Sequence, residues 1–455
     1  MDIEAINDRI AEVHRDRKWI LTPDVAAGVT PIVQQLREWD AAGIMVVAGV
    51  PGVGDVPEAD ALFYTNTSGD TIMQGVRAFV RSVDDPSDEL LAAVDEFDPD
   101  GEAMVVAMGF SRSGRLAGRR VYGARAPEWA DLEDKTIIDE LWDQAGVIRA
   151  PSVVVPVADA VAAANGLDRG LGTVWVADNL EGWHGGGEYA RWVKEEEHVQ
   201  PALEWFSEHA RTVRVMPFLD GIPCSIHGFI TRNGVAVFLP MEMIILRNTN
   251  CPEFYYAQGA NFWNPPARVR KEMRQAARLV GALLKEQHGY LGGFGIDGIC
   301  TKNGFRPTEL NPRLSVGHGL QSRAADVKLA SIQRLMIEGV FDIDATDLEQ
   351  AIVAAAETNR RGGMIFPLKG SYPPAKTGFV FEDDRAVAID TDEPNDGTMT
   401  IGPAAFGAIV IVQLDPDRTE VGPSVAPLAI KTLDLARDLW DVDAPQLEPA
   451  PDLCS

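Results

Sequence analysis

The chain has 455 residues, 46% of them apolar, and a formal net charge of −27. That length allows about two to four structural units with sizeable cores, and aromatics spread throughout argue against disorder. So acidic a surface repels phosphate backbones and anionic lipids, which argues against nucleic-acid and membrane-surface roles. No run of about 18 apolar residues is present, and the N-terminal "MDIEAINDRIAEVHRDRKW" lacks the apolar core of a signal peptide. A cytoplasmic location is therefore expected. The four cysteines, Cys224, Cys251, Cys300 and Cys454, show no paired spacing and are expected to be free thiols. The seven histidines form no metal-ligand pair.

Taken in chain order, a first helix reaches about Arg17 and a short strand, "WILT", follows. A helical stretch leads into the buried strand "IMVVAGV", the glycine-rich turn "GVPGVGD" and the strand "ALFYTN". With the strand "GEAMVVAMGF", residues 1–128 read as a small α/β layer domain. The turn is not G-x-G-x-x-G and no acidic strand end follows at the required distance, so nicotinamide binding is not expected. "LEDKTIIDELWDQAGVIRAPSVVVPV" predicts a helix, a break at Gly146 and a strand after Pro151. The strand "GTVWVADN" then precedes a loop, "LEGWHGGGE", and a stretch read as helical, "YARWVKEEE". "IPCSIHGFITRNGVAVFLPMEMIIL" alternates apolar and polar residues and turns at Arg232-Asn233-Gly234, the pattern of a hairpin. A long amphipathic helix, "PARVRKEMRQAARLVGALLKEQHG", feeds a strand pair around "FGIDGICTKNGFRPTELN". After about residue 322 a helical region reaches "ETNRRGG", then short strands and turns run from "GMIFPLKGS" to a last helix, "APLAIKTLDLARDLW", and a proline-spaced tail expected to be frayed.

The chemistry concentrates in "FRPTELNPRLSVGHG". A strand's period of two puts Glu309, Asn311 and Arg313 on one face, and Pro312 ends regular pairing there. A turn at Asn303-Gly304 folds Asp297 back beside Glu309. Two adjacent buried carboxylates repel unless compensated, and Mg²⁺ held by acid and amide oxygens is one compensation. On periodicity alone, an exposed strand face with ordinary polar side chains is the favoured reading.

"GFGIDGICTKNGFRPTELNPRLS" resembles the metal-binding strand pair of the ATP-grasp superfamily, in which an acid in one strand precedes an E-x-N about a dozen residues later. Gly293 and Gly295 belong to the same pattern. The resemblance implies α/β and α+β architecture: an ATP-grasp fold of two lobes clasping ATP, behind an α/β pre-ATP-grasp domain and before a β-rich C-terminal segment. It implies an N-terminal lobe over 129–215, a C-terminal lobe with the metal site over 216–335, and a C-terminal segment over 336–455. It also implies metal ligation by Asp297, Glu309 and Asn311, with two Mg²⁺ ions and ATP as the cofactors, and a phosphate contact from Arg313.

Other segments agree in the expected order. Lys135 matches the superfamily's first phosphate lysine, and Gly185, Gly186 and Gly187 lie in the mobile glycine lid. Pro217 to Leu219 match the hinge that binds adenine, with Asp220 as a ribose contact or a plain turn residue. Arg247 is either a contact to the γ-phosphate or a substrate carboxylate, or a solvated edge residue. His318 either lines an acceptor pocket or packs in a loop, and His184 reads as a surface residue of the lid. One departure stands out: "TVWVADN" carries no lysine where most members do, so either another cation, such as Arg214 or Arg191, substitutes or nucleotide affinity is weakened. "AGRRVYGARAPEWADLEDK" also looks like actinobacterial ligases with such a pre-domain, including pheganomycin-type peptide ligases. The resemblance implies a homodimeric ATP-dependent ligase joining a small-molecule carboxylate and amine. A biotin-carboxylase-like enzyme and a non-catalytic nucleotide-binding regulator are the alternatives.

Overall fold

The computed structural model describes residues 2–107, 114–180, 182, 184–249, 251 and 253–453. Its N-terminal part is a six-stranded sheet in the order Ala61–Tyr64, Gly43–Ala48, Lys18–Thr22, Met104–Ala107, Arg119–Val121, Arg115–Leu116. All neighbours pair in parallel except the last two. Parallel strands are covered on both faces, and every residue of Gly43–Ala48 is buried. One face packs Ile20, Met45 and Val47 against Phe79 and Val83 of the helix Ile72–Asp84. The other packs Trp19, Ile44 and Val46 with Phe229, Phe238 and the helix Leu329–Ile337. Fully burying one such side chain contributes about 1.5–3 kcal/mol, so this shared core fixes the N-terminal sheet to the distant C-terminal half. The last residues of the expected strand "GEAMVVAMGF", 108–110, lie outside the described residues.

A second unit is a four-stranded antiparallel sheet in the order Val153–Pro156, Thr212–Pro217, Thr173–Ala177, Ala190–Val193. It has its own small core around Trp175, Phe206, Val213 and Val215. Here the structure corrects the sequence reading: Ala190–Val193 is a strand, not the start of a helix. Cross-strand pairing with Thr173–Ala177 outweighs the helix propensity of the charged residues that follow, which form a single tight turn, Glu196–His198, before the helix Val199–His209.

The third sheet runs Phe254–Ala260, Met241–Asn248, Ile222–Ile230, Gly292–Thr301, Gly304–Asn311, with Val235–Val237 closing the expected hairpin on Ile222–Ile230. Ile222–Ile230 is buried at every position. The helix Ala267–His288 covers the sheet with Val269, Met273, Ala277, Val280 and Leu284. A fourth, five-stranded antiparallel sheet spans Gly363–Leu414 and packs on the helix Ala426–Trp440. The tail is docked rather than frayed. Leu447–Glu448 pairs with Arg247 and Asn248, and Leu447 and Ala450 are buried.

Cys224 and Cys251 are free thiols, as expected, but Cys300 is disulfide-bonded, which corrects the reading of four free thiols. Cys454 lies outside the described residues. Among the described residues no helix is long and apolar enough to cross a membrane.

Candidate active site

The turn at Asn303-Gly304 joins two long strands in a register that sets Asp297 directly opposite Glu309 and Gly295 opposite Asn311. The pairing shifts by one residue just after Asp297. This bulge leaves Thr308 unpaired and lets its hydroxyl donate to the Asp297 carbonyl at 3.2 Å. Asp297 accepts from Asn311 Nδ2 at 2.8 Å and from the Ser225 hydroxyl on the neighbouring strand. Burial and then the Glu309 charge push the Asp297 carboxyl up to about 7. Two carboxylates in this position call for a cation, and in this structure Lys135 supplies one.

Lys135 Nζ lies 2.8 Å from Glu309 Oε1 and 3.0 Å from the His184 carbonyl oxygen. The lysine is buried, in a turn ahead of the helix Ile138–Gln144 rather than in that helix as the sequence suggested. Its charge therefore serves two chain segments brought together only by the fold.

Arg313 continues past the strand end. Its Nε pairs with Glu133 Oε1 at 2.9 Å, and a terminal nitrogen donates to Asn311 Oδ1 at 3.1 Å. Burial opposes its charge, but Glu133, Glu309 and Asp297 outweigh that and hold the guanidinium above its ordinary value. Glu133 and Ser225 had no signal in strand periodicity. Glu133 sits two residues before Lys135 in "LEDK", and only the fold shows that it faces Arg313.

The lid is anchored at both ends of its glycines. Gly186 and Gly187 adopt φ of 63° and 79°, backbone that side chains disfavour. His184 is buried rather than exposed: it stacks on Tyr189 at 4.6 Å and its Nε2 meets the Ala177 carbonyl at 3.2 Å. Burial, with Lys135 nearby, lowers its pKa to about 2, so it is neutral. Glu188 at the lid's end pairs with Arg77 at 2.8 Å and accepts from Thr71 Oγ1 at 2.8 Å, both from the N-terminal layer. Glu181 and Trp183 of the lid lie outside the described residues.

At the hinge, Pro217 ends its strand buried and Phe218 N donates to Gly172 O at 3.0 Å. Among the described residues the Leu219 N–H has no protein acceptor, which suits an edge-on heteroaromatic base. Phe218 stacks on Trp192 with centroids 4.0 Å apart. Arg247 is not brought to the metal strands. It lies roughly 20 Å along its strand from Met241, the partner of Ser225, at about 3.3 Å per residue. There it pairs with Asp220 at 2.6 Å and sits over the Phe218 ring. Asp220 is thereby engaged by a side chain of its own chain.

Neither cation expected to replace the absent lysine is disengaged. Arg214 is buried and bonded to Asp139 at 2.6 Å and to the Thr308 carbonyl at 2.9 Å, bracing the bulge beneath Glu309. Arg191 stacks over Trp205 at 4.1 Å and pairs with Glu253 at 3.4 Å. Asp178, in the departed position, staples a turn by accepting from Thr212 N and Arg211 N. His318 is packed, in the first turn of the helix Val316–Ala324 rather than a loop, with Nε2 3.0 Å from Gly228 O.

Asp297, Glu309 and Asn311 offer hard oxygen donors on adjacent strands, and the raised Asp297 carboxyl shows the strain a divalent cation would relieve. The donor set fits Mg²⁺. It rests on two carboxylates and an amide, for among the described residues no three His, Cys, Asp or Glu side chains form a metal-holding group.

No family model matches the sequence, and no curated relative does. Solved structures do. The ADP complex of N5-carboxyaminoimidazole ribonucleotide synthetase superposes with a TM-score of 0.53 at 10% identity, over 93% of this chain and 98% of that one. The biotin carboxylase domain dimer of 2-oxoglutarate carboxylase from Hydrogenobacter thermophilus, with MgADP, ADP and bicarbonate, gives 0.53 at 13% over 95% and 92%. The L-amino acid ligase from Bacillus licheniformis gives 0.51 at 11% over 88% and 94%. At such identities the likeness establishes the fold: this chain has the ATP-grasp fold.

Proposed function

We propose that the chain is an ATP-dependent ligase that joins a carboxylate to an amine through an acyl phosphate, releasing ADP and phosphate. The observation that carries this reading is the Asp297–Glu309 pair, set opposite by strand register and completed by Lys135 and Asn311. Asp297, Glu309 and Asn311 would hold Mg²⁺, which when bound neutralises charge on the β- and γ-phosphates. The chain's own groups do the rest. Lys135 holds a phosphate oxygen beside Glu309 and, through the His184 carbonyl, ties the lid to that position. Arg313, steadied by Glu133, offsets charge on the transferring phosphoryl group. The carboxylate oxygen attacks the γ-phosphorus and the bond to ADP breaks. The amine then attacks the acyl carbon and phosphate leaves. The latched lid excludes water, which would otherwise hydrolyse the acyl phosphate.

The narrower resemblance to pheganomycin-type ligases points to peptide bond formation. A second reading, ATP-dependent carboxylation of a substrate by bicarbonate, is supported by the likeness to the biotin carboxylase domain, which covers 95% of this chain. A homodimer accompanies either reading. The deciding experiment measures ADP release with Mg-ATP over pairs of amino acids and short peptides, against bicarbonate alone, with products identified by mass spectrometry. Amino-acid-dependent ADP and a new amide support the ligase. Bicarbonate-dependent ADP alone supports the carboxylase, and tight ATP binding without ADP from any mixture removes both.

A further inference from the structure

Where the N-terminal sheet meets the C-terminal half, a cavity of about 410 Å³ opens at the ends of the strands Lys18–Thr22 and Met104–Ala107. Its size is that of a small-ligand pocket. Arg313 and Leu314, just beyond the Asp297–Glu309 pair, form part of its wall, so it adjoins the phosphoryl-transfer site without containing the metal ligands.

Two charged groups of this wall, Arg334 and Asp24, have no side-chain partner among the described residues. Arg334 lines the cavity, and among the described residues its guanidinium makes no ion pair or hydrogen bond to another side chain or to the backbone. It is nevertheless placed closely, because a Cβ on Gly123 would lie 2.5 Å from the Arg334 Cα. Burial depresses its pKa to about 10, which leaves it charged at neutral pH. The Tyr122 hydroxyl, in a residue 4% exposed, is buried with no hydrogen-bond partner. Asp24 also lines the cavity, and its carboxylate accepts only from the Val25 N–H at 3.0 Å. Burial raises its pKa. Arg334 and Asp24 are both half-buried, and among the described residues neither pairs with the other or with another side chain, so each charge faces the cavity wall without a counter-charge of its own. The rest of the wall is apolar, including Leu21, Val29 and Val106, apart from Thr22, Gln333, and Arg125 and Arg313, which are engaged by Pro312 O and by Glu133.

We propose that this cavity binds one free α-amino acid with an apolar side chain, its carboxylate on Arg334 and its ammonium on Asp24. A polyanion such as inorganic phosphate suits Arg334 but is repelled by Asp24, whereas a zwitterion satisfies both. The assignment rests on the ligase reading for its meaning, since it makes one of the two substrates a free amino acid, but its test does not need turnover.

Calorimetric titration of the intact chain, with and without ADP and Mg²⁺, would use L-leucine, L-valine and L-phenylalanine. Leucinamide, 4-methylpentanoate and inorganic phosphate serve as comparison probes. At least one amino acid is expected to bind. Its amide and its des-amino acid should each bind about tenfold or more weaker, as expected for loss of one charged hydrogen-bonding group. Arg334→Met should weaken the amino acid by about tenfold or more and leave ADP affinity unchanged. Asp24→Asn should weaken the amino acid but not 4-methylpentanoate. The proposal is overturned if none of the three amino acids binds, if 4-methylpentanoate or phosphate binds as tightly as leucine, or if Arg334→Met binds like the wild type. Should Arg334→Met fail to fold, the probe series on the wild type decides alone. ADP release with other substrates would leave the ligase reading standing when this one fails, and binding without any ADP release would do the reverse.

Discussion

Lys135 Nζ stands between Glu309 Oε1, at 2.8 Å, and the His184 carbonyl, at 3.0 Å, so a single ammonium ties the acidic strand pair to the lid. Lys135→Met removes the cation that this structure sets against two facing carboxylates. Turnover measured as ADP release is expected to fall by about 100-fold or more, the scale of losing one preorganised electrostatic contact. Addition of Mg²⁺ should raise the thermal midpoint of this variant more than that of the wild type. Turnover within a few-fold of wild type would remove Lys135 from the phosphate site.

Glu309→Gln keeps the shape of the strand pair and deletes one charge. The fold should persist, because the core of this sheet lies in Ile222, Ile226, Phe294 and Ile296, not in the carboxylates. Most activity should be lost, and Mg²⁺ should cease to tighten ADP binding in a calorimetric titration. An unchanged Mg²⁺ effect on ADP affinity in Glu309→Gln contradicts the assignment of Glu309 as a ligand.

How much of this was legible in the sequence follows from the range of the interactions. The Asp297–Glu309 pairing was readable because an Asn-Gly turn and a period of two are local signals. The strand Ala190–Val193 reads locally as helix because its pairing partner lies across the lid, beyond any local window. Arg247 illustrates the same limit: nothing in "MEMIILRN" indicates that the strand continues to the hinge and meets Asp220. The docked tail and the Glu133–Arg313 pair join positions far apart in the chain, and composition carries no trace of such contacts. The Arg334 cavity was equally invisible, since its walls come from both halves of the protein.

The Arg77–Glu188 pair crosses from the N-terminal layer to the lid, with side chains only 11% and 13% exposed. Thr71 adds a third contact to the same carboxylate. Glu188→Gln should weaken this latch by about 1.5–3 kcal/mol, the range for hydrogen bonds to a charged group. The global thermal midpoint should move little, because the lid contributes little to the main cores. Instead, phosphate released per amide formed should rise as water reaches the acyl phosphate, and limited trypsin cleavage near Arg191 and Lys194 should quicken. An unchanged ratio with unchanged proteolysis would show that the pair does not hold the lid closed.

Glu242 offers a test by pH. It is 1% exposed and accepts from Ser424 Oγ at 2.5 Å and from the Val425 and Ala426 N–H groups at 2.8 and 3.3 Å, at the start of the helix Ala426–Trp440. Burial outweighs these hydrogen bonds and raises its pKa from 4.5 to about 7. A carboxyl raised in the folded state binds more protons there than when unfolded. Its contribution is therefore full below about pH 4.5 and is lost as pH rises to about 7, roughly 3 kcal/mol in all. Buried His14 and His318, both lowered to about 4, act in the opposite sense: their contribution is present above about pH 6.5 and lost as pH falls toward 4. The Glu242 effect is thus isolated as the difference between wild type and Glu242→Gln, each measured by urea unfolding between pH 4.5 and 8. That difference should shift in favour of Glu242→Gln with rising pH and level off above about 7. A difference constant across this range would mean that Glu242 stays ionised in the fold, held by the first turn of the helix it caps.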